Sequence, residues 1–157
     1  MYLTPQKFDF IFFIGSFCHI KNKGEAIKEM AQLLAPEGQI IIEDTFFLSD
    51  AIFTGHASRP ETQFVQNTIF GFAEILSLPN FLNLCCDQGL FITDLLDHSS
   101  SYKKTIDLWL EKIRSLDKDV YPQRDNYIQY MEIAQRGWNK TIANYLITLR
   151  KGKCSSW

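Results

Sequence analysis

Hydrophobic and polar positions change their period several times along the chain, and each change marks an element. Phe8-Asp9-Phe10-Ile11-Phe12-Phe13-Ile14 is an almost unbroken apolar run closed by Gly15-Ser16. A strand with one wet face would alternate, so this run predicts a strand covered on both faces. From Lys23 the period lengthens. Ala26, Ile27, Met30, Leu33 and Leu34 share one helical face, with Lys28, Glu29 and Gln32 opposite. Pro36-Glu37-Gly38 then turns the chain, and Gln39 to Asp44 reads as a β-branched strand ending in two carboxylates. Strand, helix and strand in this order predict a βαβ unit and an α/β fold.

Beyond a loop expected from Ser49 to Pro60, one long helix is predicted from about Glu61 to Leu78. Its apolar residues, Phe64, Val65, Ile69, Phe72, Ile75 and Leu76, cover more than one packing stripe. Pro79 restarts a helix over Asn80–Asp87, and Gly89 ends it. Leu90 to Leu96 reads as a strand, Tyr102 to Leu116 and Arg124 to Arg136 as helices, and Ile142 to Leu149 as an alternating last strand. The tail from Gly152 to Trp157 is expected to fray. No repeat, low-complexity tract or linker divides the chain.

Composition narrows the classes. The 157 residues suffice for one core, and 16 Lys plus Arg against 18 Asp plus Glu exclude a nucleic-acid binder held by bulk charge. The longest apolar runs fall well short of the roughly 20 residues of a membrane span. No secretory pattern opens the chain, so a cytoplasmic protein is expected. Cys18, Cys85, Cys86 and Cys154 lack ligand or framework spacing, and His56 and His98 lack ligand-spaced partners, so neither disulfides nor a metal site is expected. The 13 Phe are the compositional oddity.

Among chemistry-bearing residues, His19 is the candidate general acid/base, since imidazole titrates near neutrality, or else a half-buried ring that satisfies a backbone group. Cys18 reads as a small buried hydrophobe. Glu43 and Asp44 are adjacent on a strand and point to opposite faces, so they are no paired carboxylate site. One can hydrogen-bond a substrate, or both can cap loop amides. Asp97 before Ser99 reads as a helix cap.

The motifs Phe8-Asp9-Phe10-Ile11, Ser16-Phe17-Cys18-His19-Ile20 and Leu33 to Asp44, in this order and spacing, resemble the second half of a class I S-adenosylmethionine-dependent methyltransferase. Asp97-His98-Ser99, Trp109 and the closing Leu149-Arg150-Lys151 are similar to the tocopherol and sterol methyltransferase type, although Gly152 stands where that type has Pro and Glu37 where it has Gly. The resemblance implies a Rossmann-like sheet with an antiparallel last strand and helices on both faces. It implies that Ile14, Gly15 and Ser16 border the cofactor, S-adenosylmethionine, and that Asp44, Phe64 and Phe72 shape a pocket for a small apolar acceptor. The family's glycine-rich cofactor loop has no counterpart, because no Gly-x-Gly occurs in the sequence. Met1 to Pro5 resembles the piece that follows the third strand. Residues 1–151 are therefore expected to form a partial domain lacking the N-terminal cofactor-binding motif. It would be inactive alone and would pair through its first strand with a separate N-terminal half or with a second copy.

Overall fold

Residues 6–152 are described by the computed structural model, so the expectations for Met1 to Pro5 and for the tail beyond Gly152 lie outside the described residues. The predicted βαβ unit forms. Strand β1 (Phe8–Ile14) pairs in parallel with β2 (Leu34–Phe47), and helix α1 (Lys23–Leu33) connects them. Asn22 starts α1 by accepting the Glu25 amide at 3.3 Å. The sheet is completed by β3 (Leu90–Asp97) and β4 (Ile142–Lys151) in the order β1-β2-β4-β3, with β4 antiparallel to both neighbours. This is the mixed sheet with an antiparallel last strand that the resemblance implies.

Two stretches depart from the sequence reading. Pro36-Glu37-Gly38 does not turn the chain; it lies within β2, and the register against β1 shifts between Phe8 and Phe10 to absorb the extra residues. Gly38 is needed there because a Cβ would come within 2.9 Å of the Phe8 carbonyl oxygen. The long helix over Glu61 to Leu78 is also not formed. The loop expected from Ser49 to Pro60 instead carries α2 (Asp50–His56), begun by Ser49, and the expected long helix is broken into α3 (Pro60–Gln63) and a π-helical turn over Phe64–Ile69, after which Gly71 adopts φ 70° and ends the helix. The next residues run alongside β2, where Phe47 donates its amide to Leu76 at 2.9 Å.

The core lies on one face of the sheet. Ile40, Ile42 and Phe46 of β2 pack with Ile147 and Leu149 of β4 against Ile27 and Met30 of α1 and against Phe81 and Cys85 of α4 (Leu78–Asp87). Phe17 meets Phe81 edge-on with ring centroids 5.4 Å apart, and Phe46 lies 5.1 Å from Phe81. A second cluster joins α5 (Ser99–Arg114) to α6 (Arg124–Gly137) through Ile106, Leu110, Met131 and Ala134. Helix α5 is tied to the sheet at its start, where Ser99 Oγ accepts the Asn144 amide at 3.1 Å. The cap expected from Asp97 is made to the Ser99 amide at 2.8 Å.

The apolar run of β1 is not covered on both faces. Ile11 and Phe13 pack against the core, whereas Phe10, Phe12 and Ile14 are exposed, Phe12 at 58%. Phe10 and Phe12 stack on each other at 5.9 Å, and Phe12 pairs with Ile41 of β2. Fully buried Phe81 and exposed Phe12 should therefore respond differently to truncation. Phe81→Ala is expected to lower the unfolding free energy by about 3–5 kcal/mol. Phe12→Ala should cost less than about 1 kcal/mol. Urea titration checks this, and equal losses would contradict the one-sided core.

Candidate functional site

The alternation of β2 carries the core row Ile40, Ile42, Asp44, Phe46 straight to the carboxyl end of the sheet, so a carboxylate occupies a buried position. Asp44 is 5% exposed and satisfied by backbone amides: Cys18 and Thr45 each donate to it at 2.8 Å. Burial raises its pKa above the ordinary 3.8, and the two amides pull the other way. Lys23, 4% exposed, grips the same segment from its other end. Its Nζ donates to the carbonyls of Ile20 at 2.8 Å and Cys18 at 3.3 Å and lies 3.4 Å from Glu74. Together Asp44 and Lys23 fix a 3-10 turn, Phe17–His19, in the loop after β1. Asp44 thus caps loop amides, as one of its two readings expects.

That turn positions His19. Its Nδ1 lies 2.7 Å from the Phe72 carbonyl oxygen, and its ring meets Phe70 edge-on at 5.5 Å. A carbonyl only accepts, so Nδ1 carries the proton and, in the neutral ring, Nε2 keeps its lone pair. Cys18 next to it is buried and its thiol is pushed up to about 12, by burial first and then by Asp44. It is therefore no thiolate nucleophile at neutral pH. Glu43 points away from Asp44 and lies 3.8 Å from His98 Nδ1. Gly15 follows β1 at φ 57°, a left-handed conformation that favours glycine, and its amide donates to the Glu43 carbonyl at 2.7 Å.

A cavity of about 510 Å³ opens beside these groups. Gly15, His19 and Asp44 line it; Ile14, Ser16, Phe64 and Phe72 do not. Phe72 instead reaches the site through the carbonyl that holds His19, and Phe64 lies in the π-helical turn whose next residue, Val65, is in the wall. Phe70, read with Phe64 and Phe72 as part of an apolar face able to cover a hydrophobic substrate, is in the wall, whereas sequence reasoning missed the wall's other aromatic residues, Phe47, Tyr102, Trp109, Tyr130 and Trp138. Tyr130 is held un-ionised, its pKa pushed up to about 12 by burial and then by Tyr102. The available signal was helical spacing. Tyr102 and Trp109 are seven residues apart on α5, and Tyr130, Ala134 and Trp138 follow one another every four residues along and just past α6. Among the described residues no three His, Cys, Asp or Glu gather as a metal site, and no helix is long and apolar enough to cross a membrane.

Residues 1–42 match a family model described as a methyltransferase domain. Among solved structures, the chain is similar to a cyclopropane synthase from Mycobacterium tuberculosis, with TM-score 0.81 and 17% identity over 94% of this chain and 57% of that one. It is also similar to a mycolic acid cyclopropane synthase solved with S-adenosylhomocysteine and CTAB, with TM-score 0.78 and 18% identity over 93% of this chain and 56% of that one. A third is the O-methyltransferase of a polyketide synthase multienzyme from Brevibacillus brevis in complex with S-adenosylhomocysteine, with TM-score 0.66 and 21% identity over 95% and 46%. The fold is therefore that of the class I S-adenosylmethionine-dependent methyltransferases. The chain spans a little over half the length of the first two of these structures. A comparison with curated protein sequences gave no match.

The raised pKa of Asp44 has a measurable sign. Folding takes up a proton there between the ordinary value, 3.8, and the higher folded value. The native state carries the full cost of the buried charge above that window and is relieved of it as pH falls through the window. Asp44→Asn keeps an oxygen for the Cys18 amide and has no such titration. Wild type should therefore gain stability relative to this variant between neutrality and pH 3.8. Urea midpoints across that range test this, and a difference independent of pH would contradict it.

Proposed function

We propose that the chain forms the acceptor-binding part of an enzyme that transfers a methyl group from S-adenosylmethionine to a small apolar acceptor. The aromatic cavity at the carboxyl end of β1 and β2, with His19 and Gly15 in its wall, carries this reading. The similarity of Asp97-His98-Ser99 and Trp109 to the tocopherol and sterol type supports an apolar acceptor, as does the aromatic wall. A cytoplasmic location is part of the same proposal.

The chain's residues fit one end of the cofactor. Gly15, flanked by Ile14 and Ser16, offers backbone without a side chain beside the cavity and fits the methionine end. Nothing in the sequence provides the glycine-rich turn for the rest, and Asp44 is committed to the amides of Cys18 and Thr45. When bound, S-adenosylmethionine supplies an electrophilic sulfonium methyl. The protein's own part is to hold the acceptor atom in line and exclude water, which the aromatic walls do. For an acceptor that must lose a proton, His19 takes it at Nε2, while the Phe72 carbonyl holds the ring in the required tautomer. Asp44 and Lys23 act by fixing the turn that carries His19.

The remaining cofactor contacts come from a further α/β unit seated on β1 and on the uncovered face of Phe10, Phe12 and Ile14. The same exposed row favours a second reading, a non-catalytic module that pairs through this edge with an N-terminal half or a second copy. Only the enzyme depends on His19.

Two measurements test the proposal. The 157-residue chain alone should bind S-adenosylmethionine only weakly in isothermal titration, and micromolar binding would overturn the division of the site. In the assembled enzyme, His19→Asn keeps a donor for Phe72 but no base. It should lower kcat roughly 10²- to 10⁴-fold on a proton-bearing acceptor with little change in thermal midpoint. An unchanged kcat would remove His19 from the chemistry.

A further inference from the structure

We infer that the acceptor is an apolar molecule ending in an anionic group, carboxylate or phosphate, and that Arg59 and Arg136 bind that end. This rests on the reading of the cavity as an acceptor site and names the acceptor's chemical class. Arg59 and Arg136 both line the cavity. Arg59 precedes α3, and its Nε donates to the Gly55 carbonyl at 2.9 Å, leaving its terminal nitrogens uncommitted among the described residues. Arg136, in the last turn of α6, has no hydrogen bond or ion pair among the described residues. Two other arginines are ion-paired: Arg114 lies 2.7 Å from Glu132, and Arg124 lies 3.3 Å from Asp125. Glu61 lines the same cavity but forms an ion pair with neither Arg59 nor Arg136.

Of the other charged and titratable residues in the wall, Glu61 and His56 have no side-chain partner among the described residues, whereas Asp44 and His19 are engaged. Asp44 accepts two amides, and His19 Nδ1 is bound to the Phe72 carbonyl. Two cavity-lining arginines without carboxylate partners among the described residues, beside aromatic walls, match a ligand with an apolar body and an anionic head. The planar fork of arginine pairs bidentately with carboxylate or phosphate oxygens.

The test uses the full chain without cofactor and follows the fluorescence of Trp109 and Trp138 in the cavity wall. The probes are dodecanoate, dodecyl phosphate, dodecanol and dodecyltrimethylammonium, each below its micelle concentration. Dodecanoate, dodecyl phosphate or both should bind roughly tenfold or more tightly than dodecanol, with a preference that weakens as salt rises. The better of the two identifies the head group. Arg59→Gln combined with Arg136→Gln should abolish the preference. The paired lysine substitutions should retain part of it, and Arg114→Gln should leave it intact. Equal binding of dodecanol and both anions, tighter binding of the cation, or a preference surviving in the double glutamine variant would each overturn the inference. In those cases dodecanol binding would still support an apolar acceptor cavity. Failure of all four probes to bind would overturn the inference together with that acceptor reading.

Discussion

A carboxylate in the core row of β2 organises the carboxyl end of the sheet. Asp44 occupies the strand position that follows Ile40 and Ile42 and precedes Phe46, all of them buried. A charge there must be met by hydrogen bonds, and the Cys18 amide is one of those that meets it. Lys23, buried on the other side, takes the Cys18 carbonyl. The loop after β1 is thus held at both ends of one residue, and His19, next in sequence, inherits its position. The catalytic candidate stands on a structural constraint, with Phe72 fixing its tautomer.

The sheet is covered unevenly. Its covered face joins α1, α4, β2 and β4 into one core, while the opposite side of β1 presents stacked Phe10 and Phe12 to solvent. A first strand this apolar is suited to a central place in a larger sheet. The match to little more than half of the first two solved structures agrees with that geometry. The cavity draws much of its wall from α5, α6 and the segment after β2.

Much of this could be read from the residues, for physical reasons that differ by element. The βαβ unit was legible because its period changes from continuous to helical and back. Asp44 and His19 stood out because polar groups bordering apolar strands need partners. The helix expected over Glu61 to Leu78 was not legible, since its apolar residues serve two environments and Gly71 needs a positive φ that composition alone does not reveal. The aromatic wall was half visible. Helical spacing aligns Tyr102 with Trp109 and Tyr130 with Ala134, but which side faces the cavity depends on the docking of α5 at Asn144 and on its contact with α6. Arg59 and Arg136 carried no signal until the structure showed their shared cavity and their lack of carboxylate partners.

Strand β1 is the edge of the sheet, and the proposed enzyme needs that edge free for another α/β unit. Amide hydrogen exchange in the 157-residue chain measures this directly. Phe8–Ile14 should exchange on the order of 10²-fold or more faster than the paired central strand β4, Ile142–Lys151, because one side and one face of β1 lack cover. Protection of β1 equal to that of β4 in the monomeric chain would contradict the account.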